Sequence, residues 1–139
     1  MRSNLRSLLK IATSLAAAVL LGTACGQGPA SSAHTDASGL TIAFRSLSPP
    51  VKGDNRVEAV ITQDGQPVAD ATVAATFRMP AMPSMNMPEM HTTMTLEHQD
   101  GGRYVGDGQL SMAGTWNVMV TVSRGDIELG SSRFTLQAE

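Results

Sequence analysis

Cysteine is nearly missing from this sequence of 139 residues: the single thiol is Cys25. Nothing beyond it can form a disulfide or a thiolate metal site, so a soft-metal site there would have to use methionine and histidine. Aromatic residues are equally sparse. Phe44, Phe77, Tyr104, Trp116 and Phe134 are the whole set, and Trp116 is assigned to the centre of the core rather than to binding. Positive charge is scarce once the first ten residues are set aside. Without Arg2, Arg6 and Lys10, seven basic side chains face twelve acidic ones, which disfavours nucleic-acid binding because phosphate contact needs a basic face. The sequence also lacks a phosphate-cradling glycine loop and any spacing that ties serine, histidine and acid into a triad. "DGG" and "GDG" are short of Ca(II) ligands. The chain is therefore not expected to be an enzyme.

The N-terminal stretch has its own signature. "MRSNLRSLLK" is basic, "IATSLAAAVLL" is apolar but too short to span a bilayer comfortably, and "GTAC" follows. This reads as a secretory signal over residues 1–24. Small residues before a lone cysteine resemble a bacterial lipobox, with Cys25 lipidated; Leu21 sits one place earlier than the usual leucine. Ordinary cleavage after Ala24 is the rival reading. Residues 25–39, rich in Gly, Ser and Ala without periodicity, read as a flexible, lipid-anchored tether in which His34 is solvated. The chain is expected to be exported and held on a membrane, facing the periplasm or the outer surface.

From Leu40 onward the dominant period is two. The rows Leu40/Ile42/Phe44, Val57/Ala59/Ile61, Val73/Ala75/Phe77, Met94/Leu96 and Trp116/Val118/Val120/Val122 alternate with mostly polar residues, as in strands with one buried face. The last strand changes phase around Gly130, which suggests a bulge or a switch of sheet. Turn signals separate the runs: "QDGQP", "QDGG", "GDG", "MAG" and "RGD". About seven short strands without an amphipathic helix predict an all-β, immunoglobulin-like sandwich of antiparallel strands over residues 40–138.

Methionine is what the sequence has in excess. Residues 77–94, "FRMPAMPSMNMPEMHTTM", hold six of the nine methionines and three prolines. The prolines predict an extended, polyproline-like loop, in which the three-residue spacing of Met79, Met82 and Met85 lines one edge and that of Met87 and Met90 a second. Thioether sulfur is a soft, uncharged donor that suits Cu(I) and offers little to Zn(II), Mg(II) or Ca(II). Met79, Met82, Met85, Met87 and Met90, with His91 or His98, are the candidate ligands, whereas Met94 and Met112 are assigned to the core. Methionine also fills irregular gaps and forms adaptable contact surfaces, so loop packing and a protein-binding surface stand beside the metal reading.

The run from "DGQPVADATVAATFRMPAMP" to "GGRYVGDGQLSMAGTWNV" resembles the YtkA-like domain family, related to FixH-like proteins. The similarity rests on Gly65–Val68, Met79–Met82, Gly102–Tyr104 and Met112–Trp116, within a span of about Leu40 to Leu136. It implies a secreted or membrane-tethered all-β domain, with relatives linked by analogy to copper or other cation handling or to oxidase assembly. The methionine-rich loop is more loosely similar to that of CopC-like periplasmic copper proteins. A lipidated Cys25 would occupy the position where those proteins use an N-terminal histidine for Cu(II). The expected function is Cu(I) transport, sequestration or delivery, with copper-export or oxidase-assembly proteins of the envelope as partners. A non-metal interaction module of the envelope is the alternative.

Overall fold

The computed structural model describes residues 31–139, so residues 1–24, read as a secretory signal, and Cys25 lie outside the described residues. Nine strands follow in order: β1 (Ser31–Thr35), β2 (Leu40–Ser46), β3 (Gly53–Gln63), β4 (Gln66–Pro67), β5 (Thr72–Met79), β6 (Met90–His98), β7 (Arg103–Leu110), β8 (Gly114–Arg124) and β9 (Ile127–Ala138). All neighbouring strands are antiparallel, in the spatial order β1-β2-β3-β7-β6-β5-β8-β9, with β4 added to β3. Strand β6 is the corner: Met90 to Leu96 pair with β5, while Glu97 and His98 pair with β7. The two layers form an immunoglobulin-like β-sandwich. No helix among the described residues is long and apolar enough to cross a membrane.

The period-two rows point inward as their alternation requires. Val73, Phe77, Leu96, Trp116, Val118 and Val120 are all buried. Phe44 ties the layers together, with ring centroids 6.2 Å from Phe77 and 5.3 Å from Phe134. The phase change in β9 is a bulge. Val122 pairs with Gly130 but Ser123 with Glu128, which leaves Leu129 as the extra residue.

Two strands exceed the sequence expectation. The two-residue β4 closes a hairpin through Asp64 and Gly65, both at positive φ (51° and 79°), the combination a tight hairpin turn demands. Strand β1 is a correction: residues 31–39, read from sequence as tether, form a strand and a turn. The polar segment gains order from the edge of β2, where Ser31 to Thr35 pair with Arg45 to Thr41. The Asp36 carboxylate then fixes the turn, accepting from the Ser38 hydroxyl (2.6 Å), the Ser38 amide (2.9 Å) and the Leu40 amide (3.0 Å). His34 sits edge-on against Phe134 at 5.0 Å.

The registers also define two ends. At one end lie residues 47–52, 80–89 and 111–113, because Gly53 faces Leu110, Met79 faces Met90 and Gly114 faces Ala138. This is the methionine end. The turns at 36–39, 64–65, 68–71, 99–102 and 125–126 lie at the other. Each contains one aspartate and none contains Lys or Arg, so it is called the aspartate end.

Candidate functional site at the methionine end

The β5–β6 hairpin carries the methionine segment, and its tip is not polyproline-like. Pro83–Met85 form a single 3-10 turn, followed by Asn86 in the left-handed region at φ 51°. Asn tolerates that conformation better than most residues. The reversal lets Met82 and Met87 bond to each other: the Met82 amide donates to the Met87 carbonyl at 3.0 Å, and the Met87 amide to the Met82 carbonyl at 3.1 Å. A polyproline helix would leave those groups to water; the closed tip satisfies them internally. The expected methionine edges therefore do not form.

What forms instead is a pair. Residues that exchange both backbone hydrogen bonds in an antiparallel pair carry their side chains on the same face, with Cα atoms about 5.5 Å apart. Met82 and Met87 are such residues, and both are half-buried. Met85 lies in the turn between them, 64% exposed. At the base of the hairpin, Met79 and Met90 are cross-strand partners on the inner face. Met79 is 3% exposed, and its methyl lies against Gly114, where a Cβ would come within 3.0 Å. Met90 is half-buried; its sulfur accepts a hydrogen bond from the Ser111 hydroxyl at 3.5 Å. Met112 packs on the same core, and its carbonyl accepts from the Trp116 indole N–H at 3.1 Å. The inner methionine Met94 lies over Gly108, where an added Cβ would meet its Cγ at 2.5 Å.

The two candidate histidines are placed elsewhere. His91 follows Met90 by one residue and so takes the outer face of β6, opposite Arg78 in register. Arg78 pairs with Glu89 at 2.8 Å, and that bond, with the carboxylate charge, raises the pKa of the guanidinium. His98 is at the aspartate end, tilted on Tyr104 at 5.1 Å, about 26 Å of strand from Met90 at the usual rise per residue. Thus the structure groups Met82, Met85 and Met87 at the tip and Met90 below them. It sends Met79 to the core, His91 to the outer face and His98 to the far end. Cys25 lies outside the described residues.

Sequence reasoning missed Ser111 and Gly114, because nothing local links either residue to a methionine more than twenty positions earlier. Among the described residues no three His, Cys, Asp or Glu side chains come together as a metal-binding group. The soft donors that lie together at this end are the thioethers of Met82, Met85, Met87 and Met90. An open groove of about 610 Å³ lies elsewhere, on the outer face, bounded by Thr76, Arg78, Asn117, Met119, Arg133 and Thr135.

The profile of the YtkA-like family matches residues 34–121, from within β1 to within β8, with the whole methionine hairpin inside the match. The chain belongs to the YtkA-like family. No curated protein matches it. The match covers β2 to β7 whole and stops before β9.

Proposed function

We propose that this YtkA-like protein is exported, lipid-anchored through Cys25, and binds Cu(I) outside the cytoplasm for transport, sequestration or delivery. The observation that carries the reading is the Met82–Met87 pair, held side by side by two backbone hydrogen bonds at the end of the hairpin. Two thioethers on one face, with Met85 in the turn and Met90 at the base, supply the soft, neutral donor set that Cu(I) prefers. Met79 and His91, candidates by sequence, contribute to the core and to the outer face. Envelope proteins of copper export or oxidase assembly are the corresponding partners. The alternative reading, a soft apolar contact surface for an envelope protein, is supported by the exposure of Met85.

The deciding experiment is competition against a colorimetric Cu(I) chelator under reducing conditions. The purified protein should withdraw about one equivalent of Cu(I) and ignore Zn(II), because thioethers lack the charge that Zn(II) sites normally use. Replacing Met82, Met85 and Met87 together by Leu should abolish the uptake and leave the melting temperature nearly unchanged. Failure of the native protein to take copper from a weak chelator would transfer the site to the interaction reading.

A further inference from the structure

We infer that the methionine end is a membrane-contacting surface, which the bilayer anchoring the chain covers. The inference rests on the anchoring reading above and adds an orientation to it. Three observations carry it.

The first is where the described chain begins. Ser31 pairs with Arg45, one residue short of the end of β2, and is therefore at the methionine end. Only six residue steps separate Ser31 from Cys25, a reach of at most about 20 Å even when fully extended. The eleven residues of β8 span roughly 35 Å at the usual rise per residue. A lipid on Cys25 thus holds the methionine end beside the bilayer and keeps the aspartate end away from it.

The second is the character of that end. Residues 47–52, 80–89 and 111–113 contain only Lys52 and Glu89 as charged residues, and Glu89 is paired with Arg78. Glu139 adds an acid, its backbone bonded to Pro50 and Lys52. Leu47, Val51 and Met85 project from the loops at 39%, 40% and 64% exposure. Exposed apolar side chains on loops with few charges suit the boundary between headgroups and acyl chains.

The third is the contrast with the far end. Asp36, Asp64, Asp70, Asp100 and Asp126 occupy its turns. Arg124 and Arg103, at the adjoining strand ends, pair with Asp70 and Asp100, so Asp36, Asp64 and Asp126 carry the unopposed charge among the described residues. An anionic lipid surface repels that end, so charge and apolar exposure select the same orientation.

The test is oxidative footprinting read by mass spectrometry, which uses the side chains already present. The mature chain is bound to vesicles of phosphatidylethanolamine and phosphatidylglycerol through the lipid on Cys25. Where mass measurement finds a bare thiol there, it is coupled to a maleimide lipid instead. The anchoring reading is then decided by the mass and the orientation by the footprint, both without copper. Met85, Leu47 and Val51, and with them Met82 and Met87, should be modified several-fold more slowly on vesicles than in the lipid-free chain. Ile127, 69% exposed at the aspartate end, should keep its rate. Replacing Leu47, Val51 and Met85 by Ser should remove the protection of Met82 and Met87. Equal protection of Met85 and Ile127, or none at Met85, would overturn the inference. Protection in native membranes but not on protein-free vesicles would overturn it in favour of a membrane-protein partner.

Discussion

At the aspartate end, turns are fixed by directional polar contacts. Asp36 binds two amides and a hydroxyl, Asp70 pairs with Arg124 at 2.6 Å, and the Tyr104 hydroxyl donates to the Val68 carbonyl while accepting from the Ala71 amide. Gly102, at φ 75°, lets the backbone approach Ile61 so closely that a Cβ would fall 2.5 Å from its carbonyl oxygen. At the methionine end the 47–52 loop is pinned in the same way, by the Asn55 side chain on Val51 and Gly53 and by the Glu139 backbone on Pro50 and Lys52. The β5–β6 hairpin, by contrast, is filled by flexible methionine side chains, with Ser111, the Trp116 indole, the Arg78–Glu89 pair and the tip's own backbone adding direction. Strands that begin in one kind of end finish in the other. One fold thus combines a rigid closure with a soft one, and soft, polarizable side chains can re-pack around whatever they meet.

Four substitutions, and a fifth read through its pH dependence, test that contrast. Trp116→Ala should have the largest effect, a loss of ~3–5 kcal/mol in urea or thermal unfolding, because it empties the core under the methionine end and leaves the Met112 carbonyl without its donor. Met79→Ala should follow at ~2–5 kcal/mol, since this methionine is a core residue. Little loss there would mean that the soft end collapses around the gap. Tyr104→Phe tests the rigid end. It keeps the ring but strips the partner from the Val68 carbonyl and the Ala71 amide, for ~1–3 kcal/mol. Met85→Ala, in the exposed turn, should stay within about 0.5 kcal/mol of the parent. A difference between Met79 and Met85 would separate packing from availability within one motif.

The smallest effect is pH-dependent. The Ser38 hydroxyl, more than the Leu40 and Ser38 amides, draws the Asp36 carboxyl below its ordinary 3.8, against a weaker opposing effect of desolvation. A carboxyl depressed in the folded state stabilises it above the unfolded pKa. That contribution is lost as pH falls through the folded value, so it fades below about pH 4. Asp36→Asn should therefore flatten the acid limb of the stability profile and leave its slope near neutrality unchanged, as pH-dependent unfolding would record.

The inward rows were legible because a strand with one buried face imposes a period of two on its residues. Met79 was legible by the same rule, since Val73, Ala75, Phe77 and Met79 are one continuous row; its place in a methionine-rich motif competed with the parity signal. Glu58 obeys its alternation and faces outward, yet it is 1% exposed. Arg45, whose Nε donates to Oε1 at 2.7 Å, and Arg103, whose Nη1 lies 3.4 Å from Oε2 without forming an aligned hydrogen bond, lie over it. Burial by long side chains from neighbouring strands leaves no mark on local periodicity. The closed tip was hidden for another reason: it depends on Asn86 entering the left-handed region, whereas three prolines spoke for an extended chain. Strand β1 had neither alternation nor apolar content to announce it, because its order comes from the edge it covers.

That covering role sets a lower limit on how far the N terminus can be trimmed. An open sheet edge offers a row of unsatisfied amides and carbonyls to any other extended chain. Residues 31–35 occupy that row on β2 with a short, polar strand that is itself a poor template. A chain shortened to Leu40, where alternation alone puts the boundary, would keep every buried aromatic and still present Leu40–Ser46 bare. Its failure would be self-association rather than unfolding, and loss of solubility would precede loss of the fold.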